Sequence, residues 1–178
     1  IGTAYFTQLS EHAVAGRFEE VRRDVGSSIR VLSLFMVIGT VALAIAAVPA
    51  SRIFTNGPSG AFEMAQVLWA YLVGLVPFAA LFVVQRTFYA LGDTRTPFFF
   101  TLFQCTLVVV TALAASLLPL QYIAVGVALG QSISGIAQAL LATWLLKRRL
   151  GHLGSRRVLV ALVRFALASI PAGALGFL

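Results

Sequence analysis

The chain has 178 residues, of which 60% are apolar and 11% charged, and its mean hydropathy is +0.95. Soluble domains carry about 25% charged residues, so the composition excludes a water-soluble fold and makes the bilayer the solvent. The formal charge of +7 does not read as a nucleic-acid footprint, because the basic residues sit at the ends of apolar runs and not on one soluble face with interleaved aromatics.

Residues 1–10 read as the tail of a helix. Residues 11–30 are rich in charge, yet Val14, Phe18, Val21, Val25 and Ile29 follow steps of four, three, four and four. Such steps draw one helical stripe, and Arg17, Glu20 and Asp24 fall off it. The stretch is expected to be an amphipathic helix lying in the membrane interface; the alternative is a charged linker that happens to be helical. Residues 1–30 thus form one unit and residues 31–178 a second.

Five apolar runs follow, at 31–50, 64–84, 98–118, 122–146 and 158–178, and none holds an acid. Each approaches or exceeds the ~20 residues needed to cross a ~30 Å hydrocarbon core. Backbone polar groups in lipid must be satisfied within their element, so each run is expected to be a helix. No strand alternation is present to build a barrel. The fold class is therefore all-α, a polytopic transmembrane helix bundle of about five spans plus the interfacial helix.

The connections differ in character. Asn56-Gly-Pro-Ser-Gly60 is a loop by composition. Residues 86–97 form the one polar stretch between two long uncharged runs. Gly92-Asp93 is a turn pair, Thr96 an expected N-cap, and Pro97 the expected first helical residue. So tight a connection predicts that the helices it joins are antiparallel neighbours. Pro119-Leu-Gln121 is a short link, and residues 147–157 are strongly basic.

Lys and Arg sort by side. Arg17, Arg22, Arg23, Arg30, Arg86, Arg95, Lys147, Arg148, Arg149, Arg156 and Arg157 fall on one side, and Arg52 alone on the other. Arg164 lies within the last run. The positive-inside rule puts the eleven in the cytoplasm.

Several polar groups lie inside the spans. Gly126, Gly130 and Ser134 recur at four-residue steps, a seam for close helix approach. Gln131, Ser134 and Gln138 share one face, as do Thr101, Gln104 and Thr111. These groups are candidates either for interhelical hydrogen bonds or for a cavity lining, as is Arg164, which can also snorkel to the surface. Pro77, with Gly74 one turn earlier, and Pro171, near Gly173 and Gly176, should kink their helices.

Nothing in the sequence forms a nucleophile–base pair, a phosphate loop or a carboxylate pair, so no enzyme is expected and Asp93 reads as a structural cap. The single cysteine, Cys105, allows no internal disulfide. His12 and His152 are far apart without partner cysteines, so neither a metal site nor a cofactor is expected. The chain starts at Ile1 and ends at Leu178 inside an apolar run, and it reads as an internal piece of a longer protein.

Phe88-Tyr-Ala-Leu-Gly-Asp-Thr-Arg-Thr-Pro97 resembles the signature loop of the MurJ/MviN lipid II flippase family. Gly74-Leu-Val-Pro77 and Ala15-Gly-Arg-Phe-Glu-Glu-Val-Arg-Arg-Asp24 resemble that family too, and the likeness extends over essentially the whole chain. One departure is the outer loop, where Ile53-Phe-Thr-Asn-Gly-Pro-Ser-Gly60 replaces the family's Phe-x-x-Gly-x-Phe pattern.

The resemblance implies a fourteen-helix protein of the bacterial inner membrane. Two six-helix lobes move lipid-linked peptidoglycan precursor to the outer leaflet by alternating access. This piece would run from the end of the eighth helix to the thirteenth. Implied partners are the precursor, membrane lipids, an N-terminal lobe and cell-wall synthesis proteins, without nucleic acid. Arg86, Tyr89, Asp93, Arg95 and Thr96 are candidate gate residues; Gln104, Gln131, Ser134, Gln138 and Arg164 are candidate cavity residues. Two other readings are a polysaccharide-lipid or multidrug exporter of the same superfamily and a membrane scaffold that docks cell-wall enzymes. Against the multidrug antiporter stands the lack of acids in the spans.

The charge count generates a topological test. Single cysteines at Ser59 and Thr94, in a Cys105→Ala background, should be labelled from outside and inside respectively. Labelling of the Thr94 site from outside intact cells would contradict the orientation.

Overall fold

A computed structural model describes residues 11–12, 15–55 and 57–151. The 1–10 segment and the 158–178 run, with Arg164, Pro171, Gly173 and Gly176, lie outside the described residues. Within them the chain forms α1 (Phe18–Phe54), α2 (Pro58–Leu72), α3 (Leu75–Ala90), α4 (Arg95–Ala115) and α5 (Leu120–Leu150). No strand occurs among the described residues. Four stretches are long and apolar enough to cross a membrane, with α2 and α3 together making one.

The helix boundaries follow capping and dipole rules. Glu19 and Glu20 occupy the first turn of α1, where the helix dipole favours negative charge. Pro58 starts α2, where a missing N–H costs nothing. Lys147, Arg148 and Arg149 end α5, where positive charge is favoured.

The expected boundary near residue 30 is not a helix end. The charged stretch and the first span are one helix of 37 residues, about 55 Å long. Its apolar stripe is not left for lipid. Val21, Val25, Ile29, Ser33 and Val37 are buried, every fourth residue, and the first three join a core with Leu81, Val84, Phe88, Leu146 and Leu150. Four residues turn a helix by about 400°, so the stripe rotates by about 40° per step. It delivers α1 to α3 at its charged end and to α2 farther on. At that far end Trp69 Nε1 donates to the Ala44 carbonyl (3.0 Å) beside the buried Ala47, Ser51, Ala61 and Ala65.

The second expected span breaks at Val73–Gly74, between α2 and α3. Pro77 explains the position, because it has no N–H for the carbonyl of Val73, four residues back. Gly74 N donates to Tyr71 (3.1 Å) instead of closing the α-helical bond to Ala70. The freed Ala70 carbonyl accepts the Ser132 hydroxyl of α5 at 2.7 Å. A Cβ on Gly74 would stand 3.0–3.2 Å from Ser132 Oγ, Cα and Cβ, so glycine permits the approach that supplies this donor.

The expected antiparallel hairpin of α3 and α4 is corrected by the packing. The two helices touch little, and each instead packs along α5. Contact between them centres on the turn, where the Phe88 and Phe100 rings lie 6.0 Å apart. The seam on α5 is real. A Cβ on Gly130 would lie 2.7 Å from Thr111 Oγ1, and one on Gly126 3.1 Å from the Ala115 Cβ. Gln138 Nε2 donates to Thr101 Oγ1 at 3.4 Å. Those three pairings run in opposite directions along the chain, so α4 and α5 are antiparallel.

Large apolar side chains point outward: Phe35, Phe98, Phe99, Val109 and Leu113 are among the exposed ones. Half of the buried positions are Ala, Ser or Gly. A bilayer supplies no hydrophobic drive between helices, so close contact through small residues does the packing.

Ser132→Ala leaves the Ala70 carbonyl without its donor. The expected loss is about 0.6–2 kcal/mol, measured by thermal unfolding in detergent. Gly74→Val should lower the melting temperature further, because its side chain meets the Ser132 backbone.

Candidate functional site

The candidate gate is the turn between α3 and α4. Gly92, at φ 71°, takes the left-handed conformation that closes a helix. Asp93 N donates to the Phe88 carbonyl (2.9 Å) and Gly92 N to that of Tyr89 (3.0 Å). This six-to-one and five-to-two pair is the Schellman arrangement.

Asp93 then starts the next helix. Its Oδ1 accepts from the backbone N–H groups of Arg95 and Thr96, each at 3.1 Å, and its Oδ2 from the Thr96 hydroxyl at 2.8 Å. The expected cap at Thr96 is therefore corrected. Thr94 stands at the N-cap position without a side-chain bond, α4 begins at Arg95, and Pro97 is its third residue. A carboxylate satisfies two orphan amides that a threonine hydroxyl reaches only singly.

The same carboxylate pairs with Arg149 at the end of α5, 56 residues away. The Asp93 side chain is 13% exposed and that of Arg149 48%. The Thr96 amide foremost, then the Thr96 hydroxyl, Arg149 and the Arg95 amide, hold the Asp93 carboxyl below its ordinary 3.8, against the upward push of burial. One residue thus ties three helix ends together.

Arg86 and Tyr89 lie on the outer side of α3. The Arg86 guanidinium stacks on Phe82, 4.7 Å from its ring centre. Gln85 Nε2 donates to Tyr89 Oη at 3.0 Å. With Phe82 they line a groove of about 290 Å³. Arg95 is exposed beside the turn.

The span candidates separate. Ser134 is buried, and its hydroxyl donates to Gly130 of its own helix (2.7 Å). Gln138 is buried against Thr101. Gln104 and Gln131 are half-buried, and neither makes a hydrogen bond within the described residues. Arg164 lies outside the described residues. No group of three His, Cys, Asp or Glu able to hold a metal occurs among the described residues.

The structure brings together Asp93, Arg95 and Thr96, and it adds Arg149 and Ser132, which sequence reasoning missed as partners. A signal for Arg149 existed. Beyond residue 24 the only acids are Glu63 and Asp93, and Asp93 alone lies on the basic side.

The family model described as "Lipid II flippase MurJ" matches residues 1–178. A solved structure titled "Lipid II flippase MurJ, inward closed conformation" is similar with a TM-score of 0.68 and 20% sequence identity. The likeness covers 97% of this chain and 40% of that one, so this chain spans less than half of that protein's length. No curated protein matches.

Asp93→Ala should cost about 1 kcal/mol, the usual worth of a helix cap. Arg149→Gln should cost between 0 and about 1 kcal/mol, because the pair is half in solvent. A carboxyl whose folded pKa is depressed contributes fully above its unfolded value and loses that contribution as pH falls through the folded one. Thermal unfolding should therefore show the wild-type advantage over Asp93→Asn intact at neutral pH and shrinking below 3.8.

Proposed function

The chain belongs to the MurJ lipid II flippase family, and on that premise we propose that it forms part of the second lobe of a bacterial plasma-membrane flippase. The cargo is lipid-linked peptidoglycan precursor, carried from the inner to the outer leaflet by alternating access; the protein is a transporter and not an enzyme. The match across residues 1–178 carries this reading.

The chemistry of the spans supports a division of labour. A pyrophosphate-linked headgroup needs cations where it crosses low dielectric. No Lys or Arg lies within 31–50, 64–84, 98–118 or 122–146, and the one cation of the 158–178 run, Arg164, is near enough to the cytoplasmic end to snorkel to the surface. The anion site therefore belongs to the other lobe, which the remaining length of such a flippase supplies. This chain offers an opposing wall whose half-buried amides are Gln104 and Gln131, with Gln138 bonded to α4 and Ser134 buried on α5 behind it.

The turn is the mechanical part. The break at Val73–Gly74 lets α3 swing, and its far end is tied through Asp93 to α4 and α5. Movement of α3 thus carries the whole cytoplasmic corner, and Arg86 or Arg95 pairs with carboxylates or helix C-termini of the other lobe in one state.

The test is growth of a bacterium depleted of its own lipid II flippase. The full-length protein should restore growth, and residues 1–178 alone should not. Arg86→Gln, Asp93→Asn and Arg95→Gln in the full-length protein should impair it at normal protein levels. Failure of the full-length protein would contradict the flippase reading. Wild-type growth of all three variants would contradict the gate and leave a structural turn.

A further inference from the structure

The acids of the chain are few. Its six side-chain acids are Glu11, Glu19, Glu20, Asp24, Glu63 and Asp93, and all are among the described residues. Glu19 pairs with Arg22 (2.6 Å), and Glu20 with Arg17 (3.2 Å). His12 lies 3.1 Å from both Glu20 and Asp24. Asp93 takes Arg149. Glu63 lies in α2, toward the opposite end of the bundle. Among the described residues Lys147 and Arg148 make no ion pair with any of these six acids, and both are exposed.

Their surroundings have a membrane grammar. Ile133, Leu140 and Trp144 form an exposed apolar stripe on α5, turned away from the faces that pack on α2, α3 and α4. Arg148 continues that stripe one turn farther. Its guanidinium lies 3.8 Å from the Trp144 ring centre. Stacking on an indole holds the cation in place and leaves its N–H edge free to donate. Exposed tryptophan followed by basic residues at the cytoplasmic end of a span marks headgroup depth.

We propose that Trp144, Lys147 and Arg148 form a binding site for an anionic phospholipid of the inner leaflet. The phosphate accepts from Arg148 and Lys147, and an acyl chain lies along Trp144, Leu140 and Ile133. The charge complement that the chain lacks is what such a lipid supplies, at the depth where the cations sit. The site lies on the outer surface of α5 and is separate from the turn, since Arg149, which serves the turn, is engaged by Asp93. It depends on the helix crossing the bilayer and not on the identity of the cargo.

Tryptophan fluorescence provides the test, because the chain has only two tryptophans, Trp69 and Trp144. The full-length protein, with every tryptophan but Trp144 changed to phenylalanine, is placed in phosphatidylcholine vesicles. Brominated phosphatidylglycerol or brominated phosphatidylcholine is titrated in as quencher. Subtracting a Trp144→Phe variant from the unmodified protein gives the same signal without touching Trp69, which bonds Ala44. Phosphatidylglycerol should quench at a lower mole fraction, by roughly fivefold for each cation. That preference should vanish in Lys147→Gln/Arg148→Gln, weaken at high salt, and persist in Arg148→Lys. Equal quenching by both lipids would overturn the site and leave the cations to an acidic protein partner. A preference that survives in the double glutamine variant would overturn the assignment to these residues.

Discussion

At Gly130 there is no room for a side chain: Thr111 Oγ1 would stand 2.7 Å from a Cβ placed there. The rest of the bundle depends on that close approach. Helices in lipid gain little by hiding apolar surface from one another, so they associate where backbones can come near. α5 offers two such faces. Gly126 and Gly130 receive α4, while Ser132 meets the break between α2 and α3. α3 and α4 are joined by a short turn, yet each lies along α5 and they scarcely pack on each other.

A second constraint is that no backbone group inside the bilayer can turn to water. It explains why the irregular places carry specific partners. Pro77 removes a bond and displaces another, and the Ser132 hydroxyl takes the carbonyl set free. At the turn, which lies outside the spans, Gly92 and Asp93 satisfy the last carbonyls of α3, and the Asp93 carboxylate satisfies the first amides of α4 by ordinary helix capping. A break and a clamp thus each have their backbone groups satisfied. One is a backbone gap with a borrowed donor, and the other a charge with several donors converging on it. Pro49 lies within α1 without ending it, so a proline alone does not break a helix.

Much of this was legible in the sequence because it rests on local signals. Apolar runs and the polar 86–97 turn show directly in the residue pattern. The small-residue steps at Gly126 and Gly130 marked the seam with α4. Other features were not legible, for identifiable reasons. The change of composition at Arg30 does not mark where a helix stops, so composition divides α1 where the backbone does not. A turn's length fixes how close two helix ends are but not how far the helices diverge, so the hairpin was misread. The Asp93–Arg149 pair and the Ser132–Ala70 bond join residues 56 and 62 positions apart. Ser132 lies off the face defined by Gln131, Ser134 and Gln138, and periodicity on one helix does not reveal what another helix's broken backbone requires.

The central claim is that α5 holds α3 and α4 apart beyond their shared turn. Spin labels in the full-length protein measure this directly. One pair sits beside the turn, at Tyr89 and Phe98, and a second at similar depth on each helix, at Phe78 and Val110; all four positions are exposed. The account predicts a short distance for the first pair and, for the second, one well beyond the ~10 Å of packed helices. Strong dipolar broadening for both pairs, as in a hairpin packed along its length, would contradict it.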